Sequence, residues 1–199
     1  MSDVLLDWRS LLVVDHPRLF GTIVRVEGEE GALLGCAGWP NVGPGWRQIL
    51  ERLCRRVEAA IASEPAATFE FVQIKEKFGR LRAYQQSSGL SPAAELVVNT
   101  ARELAEARSA FICEVCGRRG HLWDDHGWYR TACDDHGQGR PLAPKPGRAG
   151  IEITHHYVGN RSFVTARRYD FDRDAFTSIA VPVDYDVERR RWRDERDDS

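Results

Sequence analysis

Two short cysteine motifs constrain this chain more than any other feature of its sequence. Cys113-Glu-Val-Cys116 is followed directly by Gly117, and Cys133-Asp-Asp-His136 repeats the same two-residue gap sixteen residues later. Two ligands with this gap can bind one ion from a tight turn, and the following glycine permits a positive φ. Three thiolates and one imidazole fill the tetrahedral coordination of Zn²⁺, which is typical of a structural site. The spacing therefore predicts a zinc module that depends on its metal for folding.

The fourth ligand has two other candidates. His121 and His126 lie between the motifs, and either could replace His136, which is favoured because its spacing repeats that of the first pair. Cys36 and Cys54 stand apart from the motifs, and both are expected to be buried thiols. An odd number of cysteines, without a signal sequence at the N-terminus, argues against a disulfide framework.

Composition excludes several other classes of protein. The 199 residues, 42% of them hydrophobic, suffice for one domain, or one domain with a small satellite. The 28 basic and 30 acidic residues leave a formal net charge of −2, which argues against a general polyanion binder. No segment reaches the roughly 20 apolar residues needed to cross a bilayer. We therefore expect a folded cytoplasmic protein with no membrane partner.

Hydrophobic periodicity predicts two amphipathic helices separated by a β-hairpin. Apolar residues recur at helical spacing over 46–63, and Pro65 marks the end of this helix. Ser91 is a predicted cap for a second helix that continues to about residue 109. Between the helices, residues 68–84 are rich in strand-forming side chains, with Gly79 at a turn.

These segments predict an α+β fold. Two amphipathic helices pack with a β-hairpin or antiparallel sheet, beside a zinc-ribbon or treble-clef-like module and a β-rich C-terminal segment. Three strand-like runs are expected in the C-terminal segment, at 151–158, 162–169 and 177–183, and the tail is expected to be a frayed helix or disordered. The predicted divisions are a strand-rich N-terminal segment at 1–40, an α+β core at 41–112, the zinc module at 113–137, a linker at 138–150, the β-rich segment at 151–183 and the charged tail at 184–199.

Charge is unevenly distributed along the chain. Lys75, Lys77, Arg80 and Arg82, offset by one acid, give residues 75–82 of the hairpin a net charge of +3, whereas residues 113–136 carry −2. Three thiolates and Zn²⁺ would make the latter −3. The basic segment is a candidate surface for an acidic partner or phosphate, or simply the solvated face of a hairpin.

Three aromatic residues lie between the two ligand pairs. Trp123, Trp128 and Tyr129 are predicted to form a small apolar cover over the metal rather than a platform for stacking bases.

Three blocks of residues follow one another over about half of the chain. They are Gly45-Trp46 with Leu53-Cys54; Gln73-Ile-Lys-Glu-Lys-Phe-Gly79 with Leu81-Arg82 and Tyr84; and Cys113-Glu-Val-Cys116-Gly117 with Gly127-Trp128, Thr131 and Cys133-x-x-His136. This order resembles a group of uncharacterised bacterial and prophage-encoded small zinc-knuckle proteins. The resemblance implies a small cytoplasmic zinc protein of phage or other mobile elements, and it implies no reaction.

Three classes of function are consistent with the sequence. We expect a zinc-stabilised protein that binds another protein, for example a toxin, a host factor or a phage factor. A nucleic-acid-binding protein using the basic hairpin is the first alternative, and a metal-dependent hydrolase or nuclease is the second. The chain lacks a Walker loop, a G-x-S-x-G elbow and an H-E-x-x-H helix, so an enzyme is not favoured.

Overall fold

The computed structural model describes residues 7–28, 31–142, 144 and 147–193. The chain divides into two compact units, Met1–Ala143 and Pro144–Ser199. Helices and mainly antiparallel sheets follow one another along the chain, which confirms the α+β class. The ribbon or treble-clef-like form of the metal module stays a prediction. No helix among the described residues is long and apolar enough to cross a membrane.

The first unit begins with two short helices. Helix α1 spans Trp8–Asp15 and is capped by the Asp7 carboxylate, which accepts the Ser10 N–H at 2.9 Å. Helix α2 spans Pro17–Phe20. The prediction of a strand-rich N-terminal segment is therefore wrong for residues 8–20, because short apolar runs do not reveal a helical period. Residues 1–6 lie outside the described part of the chain.

A pair of antiparallel strands follows these helices. The strands are β1, Val24–Gly28, and β2, Gly31–Gly35. The run 20–26, whose partly alternating residues predict a strand, overlaps β1 only at 24–26. The strand-rich prediction for 1–40 is thus correct only in its second half.

The predicted core of two helices and a hairpin is confirmed. Its elements in chain order are β3 at Pro40–Asn41, a 3₁₀ turn at Pro44–Trp46, α3 at Arg47–Ile61, β4 at Thr68–Lys77, β5 at Arg80–Ser88 and α4 at Pro92–Ser109. The sheet order is β3-β4-β5, with β3 parallel and β5 antiparallel to β4. The turn between β4 and β5 lies at the predicted Gly79, which has φ +75°.

Helix α3 contributes one apolar face to the core. Leu50, Leu53, Val57 and Ile61 are buried at helical spacing, and the Cys54 thiol is buried beside them. The same cluster includes Trp46, Phe71 and Val98, and so joins α3 to the sheet and to α4. Burial of this face holds a helix that would be marginal in isolation. Cys54 is thus the expected buried thiol, whereas Cys36 is half-buried.

Helix α4 runs along the outer edge of β5. Its capping residue is the predicted Ser91, whose hydroxyl accepts the Ala94 N–H. The Leu81 N–H donates to the buried Ser109 Oγ at 2.9 Å, and Arg102 donates to the Ala83 carbonyl at 2.7 Å. These bonds satisfy backbone groups that an edge strand otherwise leaves open. The helix and the hairpin are therefore joined by hydrogen bonds as well as by apolar packing.

A second, three-stranded sheet follows α4 in the same unit. Its strands are β6 at His121–Asp125, β7 at Trp128–Ala132 and β8 at Arg140–Leu142, in the order β7-β6-β8 and antiparallel throughout. The prediction of a linker at 138–150 is wrong for residues 140–142, which pair with β6. A three-residue strand containing Pro141 has no alternating pattern to reveal it.

The second unit contains a three-stranded antiparallel sheet of order β11-β10-β9. Its strands are β9 at Ile151–Val158, β10 at Arg161–Asp170 and β11 at Ala175–Ile179. The three predicted strands are confirmed, with the third beginning and ending earlier than expected. Strands β12, Tyr185–Asp186, and β13, Arg191–Trp192, form a small hairpin. This corrects the predicted frayed or disordered tail over 184–193, and residues 194–199 lie outside the described part.

The Ser109 hydroxyl gives the first testable prediction. Ser109→Ala leaves the buried Leu81 N–H without its acceptor, so we expect the free energy of unfolding to fall by about 1–3 kcal/mol. Ser88→Ala, at an exposed position on the same strand, is the control and should change stability by less than about 0.5 kcal/mol. Urea unfolding followed by tryptophan fluorescence measures the stability of both variants. Equal losses of stability in the two would contradict a stabilising role for the hydrogen bond from Leu81 to Ser109.

Candidate metal centre

Four side chains from two separate turns meet in the first unit. They are the four residues predicted from the spacing: Cys113, Cys116, Cys133 and His136. Their donor atoms, three sulfurs and one imidazole nitrogen, all lie within 4.8 Å of one another. Cys113 and Cys133 are buried, His136 is half-buried and Cys116 is exposed. The structure thus forms a possible metal site from these residues.

The two turns share one backbone hydrogen bond, from the glycine that follows each ligand pair to the first cysteine of that pair. The Gly117 N–H donates to the Cys113 carbonyl at 2.9 Å, and the Gly137 N–H donates to the Cys133 carbonyl at 2.8 Å. Gly117 has φ +76°, the left-handed conformation for which a glycine was expected there. The repeated turn brings the two donors of each pair to the same side of the chain.

Two of the distances between donor atoms match those of a tetrahedral site, and a third is shorter. The Cys116 and Cys133 sulfurs are 3.7 Å apart, and His136 Nδ1 lies 3.6 Å from the Cys113 sulfur and 3.2 Å from the Cys133 sulfur. Bonds of about 2.3 Å to sulfur and about 2.0 Å to nitrogen place tetrahedral donors about 3.5–3.8 Å apart. The donor set therefore suits a thiophilic ion of the size of Zn²⁺, with Nδ1 as the histidine ligand.

The other two candidate histidines lie outside this group. The His121 ring stacks on Trp123 at 5.1 Å, and its Nε2 is 3.8 Å from an Asp134 carboxylate oxygen. The His126 side chain is 97% exposed and follows Asp125 in the turn between β6 and β7. The structure therefore groups His136, and neither alternative, with the cysteines.

Arg118 connects the two turns directly. Its Nε lies 3.5 Å from the Cys116 sulfur, and its Nη2 lies 3.5 Å from the Cys133 sulfur and donates to the Asp135 carboxylate. Three thiolates with one divalent ion carry a charge of −1, which this guanidinium offsets. Sequence reasoning missed this role, although an arginine two residues after a ligand is the available signal.

Two cysteines of the site have shifted pKa values, in opposite directions. Hydrogen bonds from the Arg118 side chain, and secondly from its backbone N–H, lower the pKa of the Cys116 thiol to about 6. Burial raises the pKa of the Cys113 thiol. A thiolate is the form that binds a metal, so the lowered pKa of Cys116 favours metal binding at neutral pH.

The first turn is fastened to the core by the segment before α3. The Gly45 N–H donates to the Glu114 carbonyl at 2.7 Å, the Gly43 N–H donates to the Glu114 carboxylate at 2.8 Å, and the Trp46 indole donates to the Ile112 carbonyl at 2.8 Å. Partial burial raises the pKa of the Glu114 carboxyl. A Cβ at Gly45 would lie 2.1 Å from the Cys113 carbonyl oxygen. Only a glycine at position 45 therefore allows the backbone to lie so close to the Cys113 carbonyl.

The hairpin turn is fastened to the same module. Thr131, in β7, donates from its hydroxyl to the Gly79 carbonyl at 2.6 Å. A Cβ at Gly79 would lie 2.4 Å from the side chain of Leu122. The possible metal site is therefore linked to the hairpin through β6 and β7, in addition to its link with the helical core.

The expected aromatic cover is correct for one residue only. Trp123 packs against Cys113 and Cys133, and its indole donates to the Ala132 carbonyl at 3.1 Å. Trp128 is 77% exposed and Tyr129 is also exposed, so the prediction that they cover the site is wrong. The strand register places Tyr129, opposite Asp124, on the other face of the sheet from Trp123. Trp128 shares the face of Trp123 but lies opposite Asp125, at the turn end of the hairpin.

The structure brings the four basic residues of the hairpin onto one face. Lys75 is directly opposite Arg82, and Lys77 is directly opposite Arg80. Their role in binding a partner stays a prediction.

Each of these cations already has a neighbour. The Lys75 ammonium lies 5.6 Å from the Tyr84 ring and the Lys77 ammonium lies 5.4 Å from the Phe78 ring. Both arginines approach the carboxylate of Glu106 on α4. Glu106, which is not evident from the sequence of the hairpin, reduces the positive charge of this face.

Comparison of the chain with known protein families, with curated proteins and with solved structures finds no match. What the site can do is therefore inferred from its own residues and geometry.

The close approach at Gly45 gives the second testable prediction. Gly45→Ala forces the segment away from the Cys113 carbonyl, and we expect a loss of about 2–4 kcal/mol of stability together with weaker metal retention. Gly127→Ala is the control, because no atom lies within 4 Å of its added Cβ and only the positive φ, costing about 1 kcal/mol, opposes it. Stability by denaturation and metal content are measured on both variants. A loss of stability in Gly45→Ala no larger than that in Gly127→Ala would contradict the role of Gly45 in docking the first cysteine turn.

Proposed function

We propose that this chain is a zinc-stabilised interaction protein that binds another protein. The observation that carries the proposal is the closed donor set of Cys113, Cys116, Cys133 and His136. Four protein ligands complete a tetrahedral site and leave no position for a reacting water or substrate. A structural metal, rather than a catalytic one, is the role that such a set supports.

Zinc is the ion that this donor set favours. Thiolate ligands combined with an imidazole suit Zn²⁺, whereas oxygen ligands would be expected for Mg²⁺ or Ca²⁺. When bound, zinc supplies folding free energy, of about 10–16 kcal/mol apparent in zinc-finger peptides. The buried apolar cluster of the module consists of Cys113, Ala132 and Cys133 with Trp123 against it, which is a small core for such a segment.

The surface proposed to bind the partner is the basic face of the hairpin. Phe78 is exposed at its turn beside the exposed Lys77, and aromatic side chains are enriched in protein interfaces. The link from Gly79 to Thr131 supports a rigid presentation of this turn by the metal module. An acidic surface on a toxin, a host factor or a phage factor is the kind of partner proposed.

A bacterial or prophage origin and a cytoplasmic location are part of the same proposal. The resemblance of the three sequence blocks to bacterial and prophage zinc-knuckle proteins supports the origin. The location is supported by five cysteines that form no disulfide, since unpaired thiols persist in a reducing compartment.

Nucleic acid is the second candidate partner for the hairpin. Two cation–aromatic pairs on one face, Lys75 with Tyr84 and Lys77 with Phe78, are groups that contact phosphates and stack on bases. The negative charge of residues 113–136 and the carboxylate of Glu106 oppose this alternative. For the metal-dependent hydrolase or nuclease, no second group of metal-binding side chains is found in the described ranges.

The metal itself gives the third testable prediction. Purified protein is expected to contain about one equivalent of zinc, and Cys113→Ser should reduce it below about half an equivalent and lower the melting temperature. Cys116→Ser, at an exposed ligand, tests the same point with less effect on packing. Cys36→Ser is the control and should retain the metal. Mass spectrometry measures the metal content of each variant. Wild-type protein with little zinc would overturn the proposal.

The partner surface gives the fourth testable prediction. Reversing the charge of Lys75 and Lys77 to Glu should abolish capture of an acidic protein partner from the native host. The control reverses Arg18 and Arg55, two exposed arginines elsewhere in the first unit, and should leave capture intact. Capture is carried out with nuclease-treated and untreated extracts and read by mass spectrometry. Capture lost after nuclease treatment, with steeply salt-dependent oligonucleotide binding, would favour nucleic acid instead.

A further inference from the structure

The sheet of the second unit has two faces with different surroundings. On one face, Nε2 of His155 in β9 is hydrogen-bonded to the Tyr185 hydroxyl at 3.0 Å. The small β12–β13 hairpin therefore contacts this face. Ile153 and Ala166 lie on the same face and are half-buried or buried. The opposite face is formed by the alternate residues of the same strands.

Residues on the opposite face are fixed by the register of β9 and β10. The directly opposed pairs are Val158 with Arg161, His156 with Phe163, Thr154 with Thr165, and Glu152 with Arg167. Side chains paired in this way extend to the same side of the sheet. Val158 is 66% exposed and Phe163 is 50% exposed, which marks this face as accessible.

Two rings form an ordered, stacked pair on this face. The His156 and Phe163 rings are stacked, with centroids 4.6 Å apart and planes 10° from parallel. The Nε2 atom of His156 lies 2.8 Å from the Thr165 hydroxyl, and this hydrogen bond fixes the orientation of the imidazole. An exposed ring that is already held in place loses little conformational entropy when another ring stacks on it.

The charge of this face is positive. Arg161 is exposed at the end of β10 that is next to Phe163. Glu152 is the one acidic residue that strands β9, β10 and β11 place on this face, and Arg167 pairs with it at 2.6 Å. Arg167 also lies 3.7 Å from the Phe176 ring. An anion approaching Phe163 therefore meets an arginine and no uncompensated carboxylate.

We propose that this face, formed by His156, Val158, Arg161, Phe163 and Arg167, binds single-stranded nucleic acid. An unpaired base stacks on Phe163, and Arg161 contacts the adjacent phosphate. Exposed aromatic rings beside cations on an open sheet are suited to unpaired bases, which every sequence can offer through its π-face. This activity is additional to the protein partner proposed for the first unit, and it requires neither that partner nor the metal.

The test uses the full chain and fluorescent oligothymidylate and oligouridylate of about 20 nucleotides. Anisotropy at about 50 mM salt should show binding that weakens as salt rises. Phe163→Ala should weaken binding by about 5- to 100-fold, as expected for the loss of one stacking ring, whereas Phe163→Trp should retain it. Arg161→Gln should lower the salt dependence by about one unit of slope. Preference for either oligonucleotide identifies the natural ligand as DNA or RNA, and both support the proposal.

Two matched controls separate this face from the rest of the chain. Tyr157 is 59% exposed on the same strand as His156, but its side chain extends to the other face, so Tyr157→Ala should leave binding unchanged. Reversing Lys75 and Lys77 to Glu tests the hairpin. The proposal would be overturned if the wild type bound no oligonucleotide, or if Tyr157→Ala weakened binding as much as Phe163→Ala. It would also be overturned if binding were lost only on reversal of the hairpin lysines. Self-association lost in Phe163→Ala without oligonucleotide binding would also overturn it.

Discussion

The contact between the first cysteine turn and the segment before α3 is the interaction on which the first unit depends. Gly43, Gly45 and Trp46 donate three hydrogen bonds to the chain around Glu114, and the absence of a Cβ at Gly45 allows the backbones to meet. The indole of Trp46 is fully buried in the helical core. The same short segment therefore packs in the core and also binds the first cysteine turn. The position of the metal ligands is therefore set by the packing of the helical core.

Several consequences follow from this arrangement. The module has only a small apolar cluster of its own, so it depends on its packing against the core, and the proposed metal would add to its stability. Its strands in turn hold the hairpin turn at Gly79. Arg118 offsets the charge of the thiolates and joins the two turns through one guanidinium. The metal site, the core and the basic hairpin are consequently connected by hydrogen bonds, which gives the proposed partner surface a fixed shape.

The second unit presents a different kind of surface. One face of its sheet contacts the small hairpin through His155, and the other exposes stacked rings beside arginine. Adjacent histidines in one strand therefore serve opposite faces, as expected from the alternation of side chains. The first unit offers lysines at a hairpin turn, and the second offers an aromatic platform, so the chain has two chemically distinct surfaces that can be tested separately.

The sequence by itself determined the helices at 47–61 and 92–109, the hairpin turn at Gly79 and the four clustered donors. Helical periodicity, capping and ligand spacing are local, so they can be read without knowledge of the fold. The tertiary structure alone decided the pairing of the hairpin arginines with Glu106, the docking of Glu114 on Gly43 and the exposure of Trp128. These contacts join residues far apart in the chain or depend on strand register, and the packing of complete elements determines them. The short N-terminal helix α1 belongs to the same group, because an eight-residue helix is stabilised chiefly by the core it packs against.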